Sequence, residues 1–570
     1  MGVRMSHLDW GVLAAALAGM VGWGVWRGRG QRSGEGFLLA REMRWTTVGL
    51  SIMATQASAI TFLSTPGQAY ADGMRFAQFY LGLPLAMIVI SAFFVPLYHR
   101  LKVHTAYEFL ESRFDLKTRT LTALLFLTGR GLAAGLTIFA PSLIVSVILG
   151  WPLAPTIAVI GLGVVVYTTT GGTRAVTHTQ MLQAAIILAG MATAFALLWA
   201  RLPDGVSLLD AWQVAGVAGR MNAIVVSGHL NDRYTLLSGL IGGGFLALAY
   251  FGTDQSQVQR YLTGRSVADS RLGLLFNGLL KVPMQLVILL LGVTVFAFYQ
   301  LTPPPVFFDP VEVAQARTGP HAEAFGTAEA GFARAAQDRA VAAAALVQAL
   351  HGSDPARRET ARASYRAASA ATDAARRNAL VLMGGRTPPS DTNYVFLRFV
   401  VSHLPAGVVG LVLAAVFAAA MSASAAELNA LAATTEVDIV RRLFHANGSD
   451  RRTLRATRLC TVGWGVFATG FAELAGGMGS LVEAVNVLGS LFYGPILGVF
   501  LAAFFVPRVG GTAVFLAALA AEVAVLGCYA LTGMSFLWFN MIGAAGVVGI
   551  SIVVQPLLPR RAAAPVGEAA

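Results

Sequence analysis

Apolar runs of about twenty residues recur along nearly the whole chain, and this repetition constrains the fold more than any other feature. A helix needs roughly 20 mostly apolar residues to cross the hydrocarbon core of a bilayer. The runs are apolar on all faces, unlike the amphipathic helices that surround a soluble core. We therefore predict an all-α, polytopic membrane protein with about thirteen transmembrane helices. The predicted spans are 9–26, 46–68, 76–98, 119–148, 152–171, 176–200, 235–255, 272–301, 398–430, 456–476, 480–504, 511–532 and 535–556.

Composition and charge placement agree with a lipid environment. Only 12% of the 570 residues are charged, against about 25% in a soluble domain. The net charge is +12, and its arginines and lysines cluster in short loops after the first, third, seventh, ninth and last spans. If the spans alternate in direction, these loops share one side, which the positive-inside rule assigns to the cytoplasm. We expect a multi-pass protein of the cell inner membrane, with an extracytoplasmic N-terminus, a cytoplasmic C-terminus and no nucleic-acid partner.

Several kinds of chemistry are disfavoured by the sequence. Cys460 and Cys528 both fall within predicted spans and are interpreted as small packing residues, so we expect no redox cofactor or metal cofactor. We find no zinc-spacing motif, nucleophile elbow or phosphate-binding G-x-x-x-x-G-K-[ST] loop. The sequence thus argues against an enzyme and against a pump with its own nucleotide site.

One segment, 303–392, interrupts the series of apolar runs. It opens with Pro303, Pro304 and Pro305 and closes near Pro388 and Pro389. Between them, an Ala-, Arg- and Glu-rich stretch predicts two solvated helices, roughly 321–350 and 356–380. A surface hairpin, a lid over a transport path and a partner-docking site remain alternatives for this extracytoplasmic insert. The resulting domains are a first transmembrane region (1–302), the insert (303–392), a second transmembrane region (393–556) and a tail (557–570).

Two predicted spans carry polar interruptions where lipid would exclude them. The second contains Thr-Gln-Ala-Ser at 55–58, and the seventh runs from Gly242–Gly244 into Thr-Asp-Gln-Ser-Gln at 253–257. Irregular backbone at membrane depth survives only where it lines a cavity or is buried in protein. Interrupted helices at matching positions of two inverted halves are typical of the central site of a secondary transporter. We predict that spans two to six and seven to eleven form the two halves.

Several motifs resemble the sodium:solute symporter family, in order and at matching spacing. They are ATQASAITF at 54–62, RLKVHTAYEFLESRFDLKTR at 100–119, GGTRAVTHTQMLQ at 171–183, QSQVQRYLTGRS at 255–266 and AAVFAAAMSASAAELNALAATTEVDI at 414–439. Together they cover most of residues 9–556 outside the insert. The similarity is greatest to the branch with sialic-acid and monocarboxylate or iodide carriers. It implies an inverted 5+5 repeat fold with broken helices, alternating access and sodium-coupled transport.

The resemblance also implies a sodium site between the broken second span and the ninth span. The matching ligands are the carbonyls of Ala54, Ala57 and Ala419 and the hydroxyl of Ser422. Freed carbonyls at a helix break suit a hard cation that takes oxygen ligands. The family's next hydroxyl falls on Ala423, so one ligand is missing unless Ser424 or a water molecule substitutes.

A second sodium site, present in some family members, is expected to be absent. Its aspartate matches Gln180, and its serine pair matches Ala425 and Ala426. The neighbouring Glu427 is an intramembrane carboxylate and hence a candidate proton or coupling site. Pairing with Arg174 or a solvated position at the cytoplasmic mouth are its alternatives.

Gln180 and His178 are further candidate coupling positions. For His178, a pH-sensing role and a solvated histidine at the membrane surface both remain open.

Arg130, in the fourth span, matches the arginine that holds the substrate carboxylate in the sialic-acid branch. A guanidinium fork fits a carboxylate in bidentate geometry. The alternative is a salt bridge from Arg130 to Asp254, which satisfies both charges without a ligand. Asp254 could otherwise bind a substrate amine or hydroxyl, or carry a proton. The remaining substrate-lining positions implied by the resemblance are Gln56, Ser58, Thr61, Phe76 and Tyr80.

The sequence therefore predicts a symporter that imports a small polar, carboxylate-bearing solute, driven by sodium at one site. Its expected partners are this solute, Na⁺ or H⁺, and the lipid bilayer. A proton-coupled or uncoupled carrier of the same fold is the alternative. A transporter-like membrane sensor is the alternative from another class.

Overall fold

The computed structural model describes residues 5–28, 43–56, 58–101, 103, 105–384, 390–443 and 450–558, without the side chains of some helical residues, 170–181 among them. Within these ranges the structure is helical, and a single isolated bridge joins Met43 to Gly264. Seven helical stretches of the described residues are long and apolar enough to cross a membrane, and three shorter apolar stretches accompany them, two of which lie within one helix, Leu153–Ala200. The prediction of an all-α, polytopic membrane fold is confirmed.

The helices are numbered here in chain order. In the first half they are α1 (His7–Gly28), α2 (Trp45–Gln56), α3 (Ala59–Asp72), α4 (Leu83–Val89), α5 (Val95–Leu101), α6 (Glu108–Arg113), α7 (Leu116–Leu149), α8 (Leu153–Ala200), α9 (Leu208–Val217), α10 (Gly243–Thr253), α11 (Gln255–Tyr261) and α12 (Val267–Leu301). In the second half they are α13 (Pro310–Ala316), α14 (Ala322–His351), α15 (Pro355–Gly384), α16 (Val395–His403), α17 (Val408–Thr434), α18 (Arg441–Leu443), α19 (Asp450–Ala472), α20 (Leu481–Phe505), α21 (Gly511–Leu531) and α22 (Leu537–Val554).

Both predicted helix interruptions are breaks in the structure. The first separates α2 from α3, and Ser58 precedes α3 with an extended backbone at φ −74° and ψ 167°. The second lies at Asp254, which is extended at φ −78° and ψ 119° between α10 and α11. The Asp254 carboxylate accepts a hydrogen bond from the Ser256 amide at 2.8 Å, which satisfies a free N–H at the start of α11. Short polar side chains that bond to nearby backbone compete with the helical ladder, which explains this break.

Three of the predicted spans have different boundaries in the structure. The spans predicted at 152–171 and 176–200 form one 48-residue helix, α8. No proline lies between Pro155 and Pro203, so nothing in this sequence stops the helix. Conversely, the predicted span 398–430 is interrupted between α16 and α17, where Pro405 lies and Gly407 adopts a positive φ of 86°.

A buried carboxylate joins the first helix to the core. Asp9 of α1 accepts hydrogen bonds from the amides of Gly407 at 2.7 Å and Gly410 at 2.9 Å, at the start of α17. These amides have no partner within their own helix, so the carboxylate acts as a cap supplied from another element. Because the same group accepts a bond from Ser6 at the start of α1, it anchors two helix ends at once.

The insert is a pair of long helices packed against each other and against the transmembrane helices. Its helices α14 and α15 lie where two solvated helices are predicted. Phe325, Phe332 and Leu380 belong to a small apolar core of its own. Two hydrogen bonds tie it to the end of α12, from Arg339 Nη2 to the Tyr299 carbonyl at 2.9 Å and from the Tyr365 hydroxyl to Gln300 at 3.0 Å. The insert is therefore docked onto the helical core.

Candidate functional site: a polar cavity between two broken helices

A cavity of about 140 Å³ lies between the two helix breaks. Polar and aromatic side chains dominate its wall, and these groups come from helices that are distant in sequence. Its polar and aromatic lining comprises Thr55, Gln56, Ser58, Thr61, Phe79, Tyr80, Arg130, Thr137, Tyr250, Phe251, Lys281, Glu427, Asn486 and Tyr493. A small, largely buried cavity with a few convergent polar groups has the character of a solute site.

The structure brings most of the predicted substrate residues to this cavity. Gln56, Ser58, Thr61, Tyr80 and Arg130 line it directly. The other two predicted residues stand one layer behind the wall: the Phe76 ring stacks on Phe79 at 5.5 Å between centroids, and Asp254 contacts Arg130 from behind.

Arg130 is buried on α7 and is held by two carboxylates. Its Nε donates to Asp254 Oδ2 at 3.0 Å, and its Nη1 donates to Glu427 Oε1 at 2.9 Å. Its Nη2 donates to Asp254 and to the Tyr493 hydroxyl. Of the two interpretations of Arg130, the structure therefore contains the ion pair with Asp254. Glu427 joins this pair, which the sequence did not predict.

Asp254 is fully engaged as a hydrogen-bond acceptor. Its Oδ1 accepts from the Ser256 hydroxyl at 2.6 Å in addition to the Ser256 amide. Its Oδ2 accepts from the Tyr493 hydroxyl at 2.9 Å as well as from Arg130. Asp254 therefore holds the break between α10 and α11 in place and leaves little capacity for a solute.

Glu427 is buried in the cavity wall, with 7% of its surface exposed. It forms an ion pair with Arg130. The alternative of a pairing with Arg174 stays a prediction, because the Arg174 side chain lies outside the described residues. The alternative of a solvated end charge is wrong because the side chain is enclosed. Its second oxygen, Oε2, accepts no hydrogen bond of normal geometry in the described structure, and the Thr137 hydroxyl lies close to the carboxylate. A buried carboxylate of this kind is a natural position for a proton.

Lys281 is the functional candidate that the sequence reasoning missed. It lies on α12 with 4% of its surface exposed, and its Nζ donates to the Gln56 carbonyl at 3.3 Å. The Tyr80 ring centroid is 6.0 Å from the same Nζ. Among the described residues, no carboxylate approaches it within ion-pair distance. A lysine in an otherwise apolar span was a detectable signal, because intramembrane ionisable residues are functional candidates by default.

A chain of amide and hydroxyl groups connects the two helix breaks across the cavity. Gln56 Nε2 donates to Gln257 Oε1 at 3.2 Å, and Gln257 Nε2 donates to the Tyr250 hydroxyl at 2.9 Å. The Tyr250 ring centroid lies 5.2 Å from the Arg130 guanidinium carbon. Three hydrogen-bonded side chains therefore join the two breaks, and a cation–π contact adds Arg130 to them.

The predicted sodium ligands are buried where α17 packs against both halves of the broken helix, α2 and α3. Ala54, Ala419 and Ser422 are at most 1% exposed, whereas Ala57 lies outside the described residues. Ser424 is also 1% exposed, and its hydroxyl has no hydrogen-bond partner in the described portion of the chain. Ser422 and Ser424 are two residues apart in α17 and therefore point to different faces of the helix, so the substitution by Ser424 stays a prediction. The side chains of His178 and Gln180 lie outside the described residues.

A multi-pass helical protein with a polar cavity between two broken helices is a secondary transporter by its architecture. The sodium:solute symporter family model matches residues 37–322 and 386–520. The chain belongs to this family, and residues 323–385 of the insert lie outside the match.

Several characterised proteins are similar to this chain. It is 23% identical to the sodium/sialic acid symporter SiaT of Proteus mirabilis, over 97% of this chain and 95% of the relative. It is 26% identical to human sodium-coupled monocarboxylate transporter 1, over 94% of this chain and 71% of the relative. It is 32% identical to the human sodium/iodide cotransporter, but this match spans 51% of the chain and 45% of the relative.

A solved structure shares the fold. A substrate-bound, outward-open Na⁺-coupled sialic acid symporter superposes with a TM-score of 0.74 at 22% identity, covering 97% of this chain and 98% of that one. The inverted-repeat symporter fold expected from the resemblance is thereby confirmed.

Proposed function

We propose that this protein is a secondary active symporter that imports a small polar, carboxylate-bearing solute by alternating access, driven by sodium at one site. The observation that carries the proposal is Lys281, a buried cation in the cavity wall whose hydrogen-bond partner in the described structure is the Gln56 carbonyl. A buried charge is unfavourable unless it is paired. A solute carboxylate would supply that pair.

The balance of charge favours Lys281 over Arg130 as the residue that meets the solute. Two carboxylates already compensate the charge of Arg130, so it gains less than Lys281 from an added anion. With Arg130, Lys281, Asp254 and Glu427 ionised, the site sums to zero. One carboxylate and one sodium ion together leave that sum unchanged, which supports cotransport of the two.

Sodium would act through the broken helix. Carbonyls of Ala54, Ala57 and Ala419 and the Ser422 hydroxyl are the proposed ligands. An ion there would join α17 to both α2 and α3, and the carbonyl of the adjacent Gln56 is the acceptor for Lys281. Ion binding would thus fix the wall that receives the solute, and each ligand would raise the affinity of the other.

The placement in the membrane belongs to the same proposal. The basic loops would face the cytoplasm of the cell, with the N-terminus and the insert on the opposite face of the inner membrane.

Replacing Lys281 tests the proposal directly. Lys281→Gln should weaken binding of a carboxylate to the purified protein by roughly tenfold, since a charge-assisted hydrogen bond is lost. Sialic acid and pyruvate are suitable probes, because symporters of sialic acid and monocarboxylates are among the similar proteins. The matched control is Lys117→Gln, whose side chain is 44% exposed. Equal affinities for wild type and Lys281→Gln would contradict the assignment.

Sodium dependence is tested at the two buried serines. Ser422→Ala should abolish the stimulation of uptake by sodium, whereas Ser424→Ala should weaken it if this hydroxyl replaces the missing ligand. The measurement is initial uptake rate in proteoliposomes as external sodium replaces potassium. A sodium response that survives in the Ser422→Ala, Ser424→Ala double variant would place the ion elsewhere.

A proton at Glu427 is the second candidate for the coupling ion, and the burial of this carboxylate in the cavity wall favours it. Protonation would leave Arg130 with one carboxylate, so that the guanidinium could bind a solute anion. Glu427→Gln imitates the protonated form and should remove any dependence of uptake on external pH near neutrality. A pH profile that is unchanged in this variant would eliminate Glu427 as the coupling group.

A further inference from the structure

A second cavity, of about 620 Å³, lies between the insert and the helical core. Its lining combines α14 and α15 of the insert with α3, α12 and the segment after α9. The charged and aromatic residues in this lining are Tyr70, Arg220, Phe296, Phe308, Phe332, Arg339, Tyr365, Arg366, Asp373, Arg376, Arg377 and Asp391. One wall comes from residues 332–380 of the insert, which lie outside the family match, so the family resemblance by itself does not predict this cavity.

The cavity is strongly basic. Five arginines and two aspartates line it. Asp391 is occupied, since it pairs with Arg376 at 2.5 Å and accepts from the Phe308 amide at 2.8 Å. The four other arginines therefore carry more positive charge than the single remaining carboxylate, Asp373, can neutralise. A cleft lined by one sign of charge concentrates counter-ions.

One of these arginines is buried at the junction and incompletely paired. Arg339 is 4% exposed, and its Nη2 donates to the Tyr299 carbonyl at 2.9 Å. Within the described residues its Nε has no hydrogen-bond partner. A buried guanidinium N–H without an acceptor is costly, and an oxyanion in the cavity would satisfy it.

The arrangement of exposed and buried groups gives the cavity an entrance. Arg366 and Arg377, eleven residues apart on one face of α15, are exposed, whereas Arg339 and Tyr365 are buried. An anion would meet the exposed arginines first and the buried one last.

One helix links this cavity to the central one. α3 contributes Thr61 to the central cavity and Gly67 and Tyr70 to the basic cavity. Nine residues of helix between Thr61 and Tyr70 correspond to about 14 Å along the axis. The two cavities therefore lie at different levels along the same helix.

From this geometry we infer that the basic cavity binds small soluble carboxylates and is a capture site for the solute before it enters the central cavity. The capture role rests on the proposed symport of a carboxylate; binding in the basic cavity does not. Arg339, Arg366 and Arg377 are the residues assigned to it, with Arg339 forming a bidentate contact through its free Nε side.

The binding test uses citrate in sodium-free potassium buffer at constant ionic strength, with inorganic phosphate as a second probe. A ligand that binds the folded state raises its thermal stability. We expect citrate to stabilise the wild type and its affinity to fall about tenfold in Arg339→Gln and in the Arg366→Gln, Arg377→Gln double variant. The double variant matters because both side chains are exposed, so it should fold even if Arg339→Gln does not.

Two controls decide the location of the citrate site. Arg334→Gln removes an exposed arginine of α14 outside the cavity lining and should leave citrate affinity unchanged. Lys281→Gln reports any citrate that binds in the central cavity instead. Stabilisation that is lost in Lys281→Gln but kept in the double variant would place citrate in the central cavity and overturn the inference. So would stabilisation by phosphate but not by citrate.

The capture role has its own readout. In the double variant, the KM for carboxylate uptake should rise several-fold while the maximal rate stays unchanged. An unchanged KM would refute capture. A protein that transports no carboxylate at all would refute the proposed function, and the citrate measurement would remain valid because it requires neither sodium nor transport.

Discussion

At the scale of single residues, the central cavity is governed by which charges are already paired. Arg130 resembles a substrate-binding arginine in its sequence context, but its guanidinium is held by Asp254 and Glu427. Lys281 lies in the same cavity and bonds to a backbone carbonyl. The contacts of the two cations therefore differ: two carboxylates compensate the charge of Arg130, whereas no carboxylate of the described residues lies within ion-pair distance of Lys281.

The structural role of Arg130 can be measured. Arg130→Gln would leave two buried carboxylates without their cation, so we expect the free energy of unfolding to fall by about 3–5 kcal/mol. Combining it with Asp254→Asn and Glu427→Gln removes those charges and should restore some of the loss. Thermal denaturation of the purified variants provides the comparison. A triple variant no more stable than Arg130→Gln would argue against the ion pairs as the cause.

At the scale of elements, one helix end departs from regular α-helical geometry and is held by charged side chains of other helices. The end of α17 continues as a π-helix, Thr435–Val440, which contains the buried Asp438. Asp438 Oδ1 accepts from the Thr105 hydroxyl at 2.9 Å and from Arg119 Nε of α7 at 2.8 Å. Arg119 also pairs with Glu111 of α6 at 2.9 Å. This network fixes the end of α17, the helix that also carries Ser422 and Glu427.

The two sides of this network should respond unequally to substitution. Arg119→Gln strands the buried Asp438 and should cost roughly 3 kcal/mol of stability. Asp438→Asn leaves Arg119 paired with Glu111 and should cost about 1–2 kcal/mol. Chemical denaturation of both variants and of the double variant tests this order. Equal losses in the two single variants would show that Asp438 does not depend on Arg119.

At the scale of the whole molecule, the insert is an integral component of the transporter. It adds an apolar core of its own, two hydrogen bonds to the end of α12 and a wall of the basic cavity. Its base carries Asp309, which is 6% exposed and caps α13 through the Val311 amide at 2.8 Å. Burial raises the pKa of Asp309 above its ordinary value of 3.8. Burial likewise raises the pKa of Glu312, with the charge of Asp309 adding to the effect.

This raised pKa predicts how stability depends on pH. The folded state holds the Asp309 proton more tightly than the unfolded chain, so this group favours folding at acid pH. Its contribution falls as the pH rises from near 3.8 through the raised value. We expect the stability of the wild type relative to Asp309→Asn to be greatest near about pH 4 and to decline towards pH 7. Thermal unfolding across this range tests it, with Glu323→Gln, an exposed insert residue, as the control.

The sequence by itself determined the features that depend on local pattern. Hydropathy over about twenty residues is sufficient to predict a membrane protein. Polar residues at 55–58 and 253–257 predict the helix breaks because short polar side chains disturb the helix at their own position. The alanine-rich composition of the insert likewise predicts its two helices. The predicted spans 152–171, 176–200 and 398–430 differ from the observed helices because they were bounded by hydropathy. Hydropathy does not indicate whether the helical backbone continues between two apolar runs.

Only the tertiary structure decided which charges meet. Arg130 lies 124 residues from Asp254 and 297 from Glu427, and Lys281 lies 225 from Gln56. No periodic pattern in the sequence predicts contacts between residues so far apart in the chain, because these contacts result from how whole helices pack. The basic cavity is a further case, since its arginines come from the insert and from the segment after α9. Each group has a local signal as a charged residue, but its partner, and hence its function, is fixed by packing.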